Sequence, residues 1–214
     1  MILIDIEYKG EKHSLHYHND LICRIAQQTN TFFEEWLLTP LKTQVQSFDC
    51  VVDIGSNVGN HAYFFKNICN ASRVLCFEPL PSNIELLEKN CKGCEIYTVG
   101  LSSETRPGHI EMIDSVDSNS GTGRISNTGV EIVLKTLDSY DLEGVTFIKI
   151  DVEGHELEVL KGALQTIERT KPDLLVETHL GVDILDVMSI LPQGYSYEKI
   201  THETHYLIKY INEQ

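Results

Sequence analysis

Two stretches of this chain set glycines and ionisable residues at spacings that suit chemistry. The first reads Val51-Val52-Asp53-Ile54-Gly55-Ser56-Asn57-Val58-Gly59-Asn60 and has the pattern D-x-G-x-x-x-G between an apolar run and an amphipathic one. Glycines there let the backbone turn tightly and approach a ligand, and the helix that follows presents free N–H groups. A dinucleotide loop would carry a second glycine at position 57, where this chain has Asn57. Asp53 puts a carboxylate where a pyrophosphate would otherwise lie. That charge suits a cationic amino-acid group, such as the methionine end of S-adenosylmethionine, better than a diphosphate. Glu78 comes 19 residues after Gly59, at the end of the next apolar run, where an acid accepts both hydroxyls of a ribose. Helix capping by Asp53 and Glu78 with plain glycine turns is the alternative, and the joint spacing argues against it.

The second stretch is Ile148-Lys149-Ile150-Asp151-Val152-Glu153-Gly154-His155-Glu156, an apolar strand pattern that runs into a crowd of ionisable groups. Capping of a following helix accounts for one of these carboxylates but not for all of them. Val176-Glu177-Thr178-His179 repeats the arrangement, and a histidine at a strand end that faces carboxylates suits a base.

For these residues to meet, the elements must carry them to one edge. Apolar runs at 50–54, 74–77, 95–99, 146–150 and 174–176 alternate with helical patterns at 60–68, 81–90 and 157–167. That alternation predicts an α/β fold with a parallel sheet and helices on both faces, and such sheets bind ligands at their carboxyl edge. Residues 2–8 alternate with period two, and 195–200 with 206–211 predict a closing antiparallel hairpin. Phe32, Phe33, Trp36 and Leu37 suggest an amphipathic helix packing an N-terminal flap. The organisation expected is a single domain over 1–214, with a flap at 1–45 and the core at 46–214. Residues 114–128, polar and without periodicity after Val116, predict a long loop beside the active edge, of the kind that is usually functional.

Composition narrows the function. Lys and Arg number 17 against 32 Asp and Glu, a formal charge of −15, which repels a phosphate backbone, so no nucleic-acid partner is expected. No apolar run approaches the roughly 20 residues of a membrane span. The first residues lack the basic start of a signal peptide, so the expected location is cytoplasmic. Six cysteines are expected as free thiols. Cys91-Lys92-Gly93-Cys94 has no second pair at zinc-finger spacing and reads as a turn between helix and strand. His202 and His205 read as part of a hairpin turn, and His16 and His18 as one solvent-facing side of a strand.

The segments VVDIGSNVGNHAYFF, CFEPLPSNIELLEKN, TLDSYDLEGVTFIKIDVEGHELEVLKGA and KPDLLVETH resemble, in order, the signature of the FkbM family of S-adenosylmethionine-dependent methyltransferases. The resemblance implies a Rossmann-like fold with a mostly parallel seven-stranded sheet whose last strand is antiparallel. It also implies O-methylation as the usual reaction. Asp53, Gly55, Asn57, Gly59 and Glu78 match the cofactor motif, and Ser56, Asn60, Pro79, Ser102 and Asp151 are expected to bind the cofactor with them. Val99-Gly100-Leu101-Ser102 departs from the family's common Asn or Ala near the adenine. Asp151, Glu153, Gly154, Glu156, Glu177 and His179 match the remaining signature.

A sulfonium cofactor is already an activated methyl donor, so the protein must align an acceptor oxygen and manage its proton. His179 is the leading base, with Asp151 and Glu177 orienting it or serving as bases. Alternatively Asp151, Glu153 and Glu177 hold Mg²⁺ or another divalent ion. The acceptor class is a sugar, glycan or other small molecule. The rival readings are a nucleotide-binding oxidoreductase, which the missing glycine disfavours, and a non-catalytic cofactor-binding domain.

Overall fold

The computed structural model describes residues 1–112, 121–179, 181–200 and 204–211. An N-terminal hairpin, β1 (Ile2–Tyr8) and β2 (Glu11–Tyr17), leads into α1 (Leu21–Thr29) and α2 (Glu35–Gln44). The chain then alternates β3 (Cys50–Ile54), α3 (Asn60–Asn67), β4 (Arg73–Phe77), α4 (Pro81–Asn90) and β5 (Glu95–Tyr97). An inserted group follows: β6 (Gly100–Leu101), β7 (Arg106–Met112), β8 (Gly123–Ser126) and β9 (Val130–Lys135), with a 3-10 turn at Leu137–Tyr140. β10 (Phe147–Ile150), α5 (Glu156–Lys161), α6 (Leu164–Thr170), β11 (Asp173–Glu177), α7 (Ile184–Ile190), β12 (Tyr195–Lys199) and β13 (His205–Tyr210) complete it.

The main sheet has the order β12-β13-β11-β10-β3-β4-β5. β13 pairs antiparallel with both β11 and β12, while β11, β10, β3, β4 and β5 pair in parallel, so six strands share one direction and β13 alone opposes them. This is the mostly parallel Rossmann-like sheet with an antiparallel last strand. β3 and β10 are buried at every residue, as strands covered on both faces must be. Their side chains alternate between two cores: Val51 and Phe147 join the N-terminal hairpin, α3 and α4 on one face, and Val52, Ile54, Ile148 and Ile150 join α5, α6 and α7 on the other. Among the described residues no helix is long and apolar enough to cross a membrane.

Four local expectations change. The helix expected over 157–167 is two helices, because a Cβ at Gly162 would lie 2.0 Å from the Ser102 carbonyl oxygen and the chain steps there to let the loop approach. The strand expected over 95–99 ends at Tyr97, and the chain re-enters a separate four-stranded sheet of order β6-β9-β7-β8. Of the long loop expected over 114–128, residues 114–120 lie outside the described residues, and Gly123–Ser126 is a strand paired with β7. His16 and His18 do not face solvent: the His16 ring lies 3.3 Å from Asn90 Oδ1, and His18 Nε2 lies 3.1 Å from Asn83 Oδ1. The alternation holds, but with Tyr17 in the core the other face of β2 rests on α4.

Candidate active site

The carboxyl ends of β3, β4, β10 and β11 stop in register, and the segments that follow them line one cleft. Its floor is Gly55 to Val58. Gly55 has φ +77°, and a Cβ there would lie 1.9 Å from the Asp151 carbonyl oxygen, so only glycine lets β3 turn against the end of β10. Gly59, at φ +91°, does not line the cleft; a Cβ there would meet the Cys91 sulfur at 2.5 Å, so it serves the packing of α3 on α4.

Glu78 is buried at the cleft wall. Its Oε2 accepts the Asn57 N–H at 2.9 Å, and its Oε1 accepts from the Leu80 N–H at 3.0 Å and Asn83 Nδ2 at 3.2 Å. Burial raises its pKa, and these bonds oppose the rise. They fix the carboxylate without using all four of its acceptor lone pairs, which leaves capacity for hydroxyl donors from a ligand. Pro79, Leu80, Ile110 and Ile125 continue the wall as an apolar surface from the turn before α4 and from β7 and β8.

Besides Gly59, two expected cofactor residues, Asp53 and Ser102, lie off the cleft, and a third, Asn60, reaches it with its amide already bonded. Asp53 is fully buried within β3, away from the cleft surface; its carboxylate oxygens have no hydrogen-bond partner among the described residues, and its charge is met by Lys149 Nζ at 3.4 Å. Position 53 is inside the strand, one residue before the turn, so the side chain points into the sheet's packed layer rather than across its edge. Ser102 is buried with its Oγ 3.0 Å from His155 Nε2, and Gly100 and Leu101 line the cleft in its place. Asn60 borders the cleft, but its amide is spent clamping the N-terminal segment: Oδ1 accepts from Tyr17 Oη at 2.9 Å and the Phe33 N–H at 3.1 Å, and Nδ2 donates to the Phe33 carbonyl.

The second cluster converges. Lys149, 3% exposed, reaches Asp151 at 3.1 Å and donates to the Gly55 carbonyl at 2.9 Å. Burial alone would lower its pKa and raise that of Asp151; their pairing outweighs both effects, keeping Lys149 charged and the Asp151 carboxyl well below the usual range. His179 Nε2 lies 3.1 Å from Glu177 and 3.7 Å from Asp151, with Nδ1 3.9 Å from Glu153. Asp151 and Glu177 push its pKa up to about 11, against the effect of burial. At neutral pH the ring is an imidazolium with no free acceptor, which is at odds with its expected role as the base. Glu153 stands at φ +54° and is raised by desolvation. Glu156 is fully buried, its Oε1 accepting the Gly154 N–H at 2.9 Å, so it braces the 151–156 turn.

One contributor was hidden in the sequence as a turn residue. His205 opens β13 directly opposite Glu177, is 1% exposed, and places Nε2 3.1 Å from that carboxylate. Its partner His202 lies outside the described residues. An antiparallel strand beside β11 must begin where β11 ends, and that topology is the signal that would have placed His205 at the site. From the flap, Glu34 lies 3.1 Å from His61 of α3 and 3.9 Å from His205, and Trp36 packs edge-on against the His205 ring at 5.5 Å. Ile22, Phe33 and Glu34 line the cleft, so the flap forms part of its wall.

Comparison with known proteins places the fold and the family. The family model for the methyltransferase FkbM domain matches residues 53–198. Hexuronic acid methyltransferase AglP of Haloferax volcanii is 32% identical over 179 residues, covering 78% of this chain and 72% of that protein. Methyltransferase 1 of Beauveria bassiana is 26% identical over 142 residues, covering 52% of this chain and 57% of that protein. The crystal structure of methyltransferase FkbM from Methylobacillus flagellatus KT superposes with a TM-score of 0.56 at 22% identity, covering 76% of this chain and 43% of that one. An rRNA methylase from Streptococcus thermophilus superposes at 0.51 with 12% identity, covering 81% of this chain and 93% of that one, and shares the fold. Matched by the family model over more than half its length, and by AglP over most of both chains, the chain belongs to the FkbM methyltransferase family.

Proposed function

We propose that this protein transfers a methyl group from S-adenosylmethionine to a hydroxyl of a sugar or glycan. The observation that carries the reading is the joining, in one cleft, of the Glu78 wall and the Asp151, Glu153, Glu177 and His179 cluster. The match to a hexuronic acid methyltransferase supports the acceptor class. The cofactor, when bound, supplies an electrophilic methyl group on sulfur. Gly55 to Val58 and Glu78 would hold it, with Glu78 accepting the ribose hydroxyls and Leu80, Ile110 and Ile125 covering the base.

The acceptor hydroxyl is poorly acidic and must lose its proton as the new bond forms. His179, already protonated, is suited to donating to the acceptor and screening the carboxylates. Asp151 is committed to Lys149, and Glu177 lies between His179 and His205. Glu153, with the weakest of these cation contacts and a raised pKa, is the carboxylate best placed to take the proton. Glu153→Gln should lower turnover by a factor on the order of 10²–10⁴ while leaving binding of the product cofactor unchanged. Full turnover in that variant would remove Glu153 from the reaction.

A second reading has its own observation. Asp151, Glu177 and His179 each offer a ligand atom within 4.8 Å of the others, a set that suits a divalent ion and replaces the expected Glu153 with a histidine. Such an ion would acidify the hydroxyl and require neutral His179. Activity abolished by EDTA and restored by Mg²⁺ or Mn²⁺ selects this reading; indifference to EDTA selects the carboxylate base.

A further inference from the structure

Buried cysteines are ordinary core residues, and Cys23 and Cys50 are of that kind here. Cys76, Cys91 and Cys94 differ because their sulfurs converge. Cys91 caps the carboxyl end of α4, and the chain turns at once, with the Cys94 N–H donating to the Cys91 carbonyl at 3.1 Å and Gly93 at φ +83°. That turn folds the two thiols of the C-x-x-C segment toward the neighbouring strand β4, where Cys76 sits opposite Asp53 on one side and Ile96 on the other. The three sulfurs lie within 4.8 Å of one another, and all three cysteines are free thiols. The sequence alone shows a C-x-x-C with no second pair; the parallel pairing of β4 with β5 supplies the third sulfur from 15 residues upstream.

We propose that Cys76, Cys91 and Cys94 form a metal site for a single soft d¹⁰ cation, of the class of Cu(I) or Zn(II), distinct from the catalytic cleft. Three sulfur donors with no oxygen or nitrogen among them select soft ions over Mg²⁺ or Ca²⁺. Bonds of about 2.3 Å to one ion set thiolate sulfurs about 3.8–4.0 Å apart, so sulfurs already within 4.8 Å of one another close on an ion by side-chain movements of about 1 Å or less. Cys76 and Cys91 are buried and Cys94 is half-buried, so the ion enters past Cys94 and meets two sulfurs already in place. The site adjoins the cofactor loop: the Cys91 sulfur lies 3.4 Å from the Gly59 carbonyl oxygen.

The test uses the whole protein, reduced and freed of metal, titrated without oxygen with Cu(I) and separately with Zn(II), each buffered by a chromophoric chelator. The expected result is one equivalent of one or both ions bound, with the ultraviolet absorption of metal–thiolate bonds. Cys91→Ser and Cys94→Ser should each weaken binding at least roughly tenfold, and Cys23→Ser should leave it unchanged. Cys94 is half-buried, so Cys94→Ser is the variant expected to keep the fold, checked by its melting temperature. In the parent protein the bound ion should also protect Cys94 from alkylation, read by peptide mass. The proposal is overturned if neither ion binds more tightly than the chelator can report, if Cys94→Ser binds as well as the parent, or if Cys94 alkylates at the same rate with and without metal.

Discussion

The fate of individual side chains here is set by which charges their neighbours offer. Glu78 is held by two donors from its own turn, Leu80 and Asn83, and by the Asn57 N–H of the loop after β3, so its removal costs the ligand contacts and the order of both turns together. Glu78→Ala should weaken binding of S-adenosylhomocysteine by about 1.5–3 kcal/mol, measured by calorimetry. His179 gives a pH test. Its folded pKa of about 11 lies above its unfolded value, so its contribution to stability is complete below about pH 6.5 and is lost as pH rises through the folded value. Glu177→Gln removes one of the two charges that raise it, and NMR titration of the imidazole should show its pKa falling toward 6.5; an unshifted titration would break the assignment of that pair. These charges were partly legible beforehand. Asp151, Glu153, Glu177 and His179 stand at the ends of apolar runs and were expected together. The protonation of His179 was not, because it depends on distances of 3–4 Å between two strand ends. Asp53 lies one residue inside β3, since the turn begins only after Ile54, and its nearest cation is Lys149.

At the level of elements, the tightest joint is the one between β3 and β10 at Gly55. Gly55→Ala must shift either the β3 turn or the Asp151 carbonyl, and the backbone strain alone is worth about 1–3 kcal/mol. The variant should melt earlier and lose cofactor binding; an unchanged melting temperature would show that the turn is not packed as described. β3, α3, β4 and α4 were readable from sequence because each carries its own period and a turn residue at its end. The β6–β9 sheet was not. Its strands are partly exposed, β7 burying only Gly108 and Ile110, and their pairing rests on contacts between distant segments that no local pattern encodes. The hairpin of β12 and β13 was expected as a closing element, but that its last strand inserts beside β11 follows from topology rather than from its own residues.

Across the whole molecule, a formal charge of −15 acts against the compact state. Raising ionic strength from a few millimolar to about 0.15 M shortens the screening length to about 8 Å and should raise the melting temperature. A fall instead would mean that attractive pairs such as Arg73–Glu95 outweigh the repulsion.

Trp36 is the single tryptophan of the chain, 48% exposed, and its ring stands edge-on to His205, which in turn faces Glu177. A protonated histidine quenches a neighbouring indole. The emission of one residue in the flap is therefore expected to fall as His205 takes up a proton, so a pH titration of the protein's own fluorescence would read the charge beside Glu177 without a label.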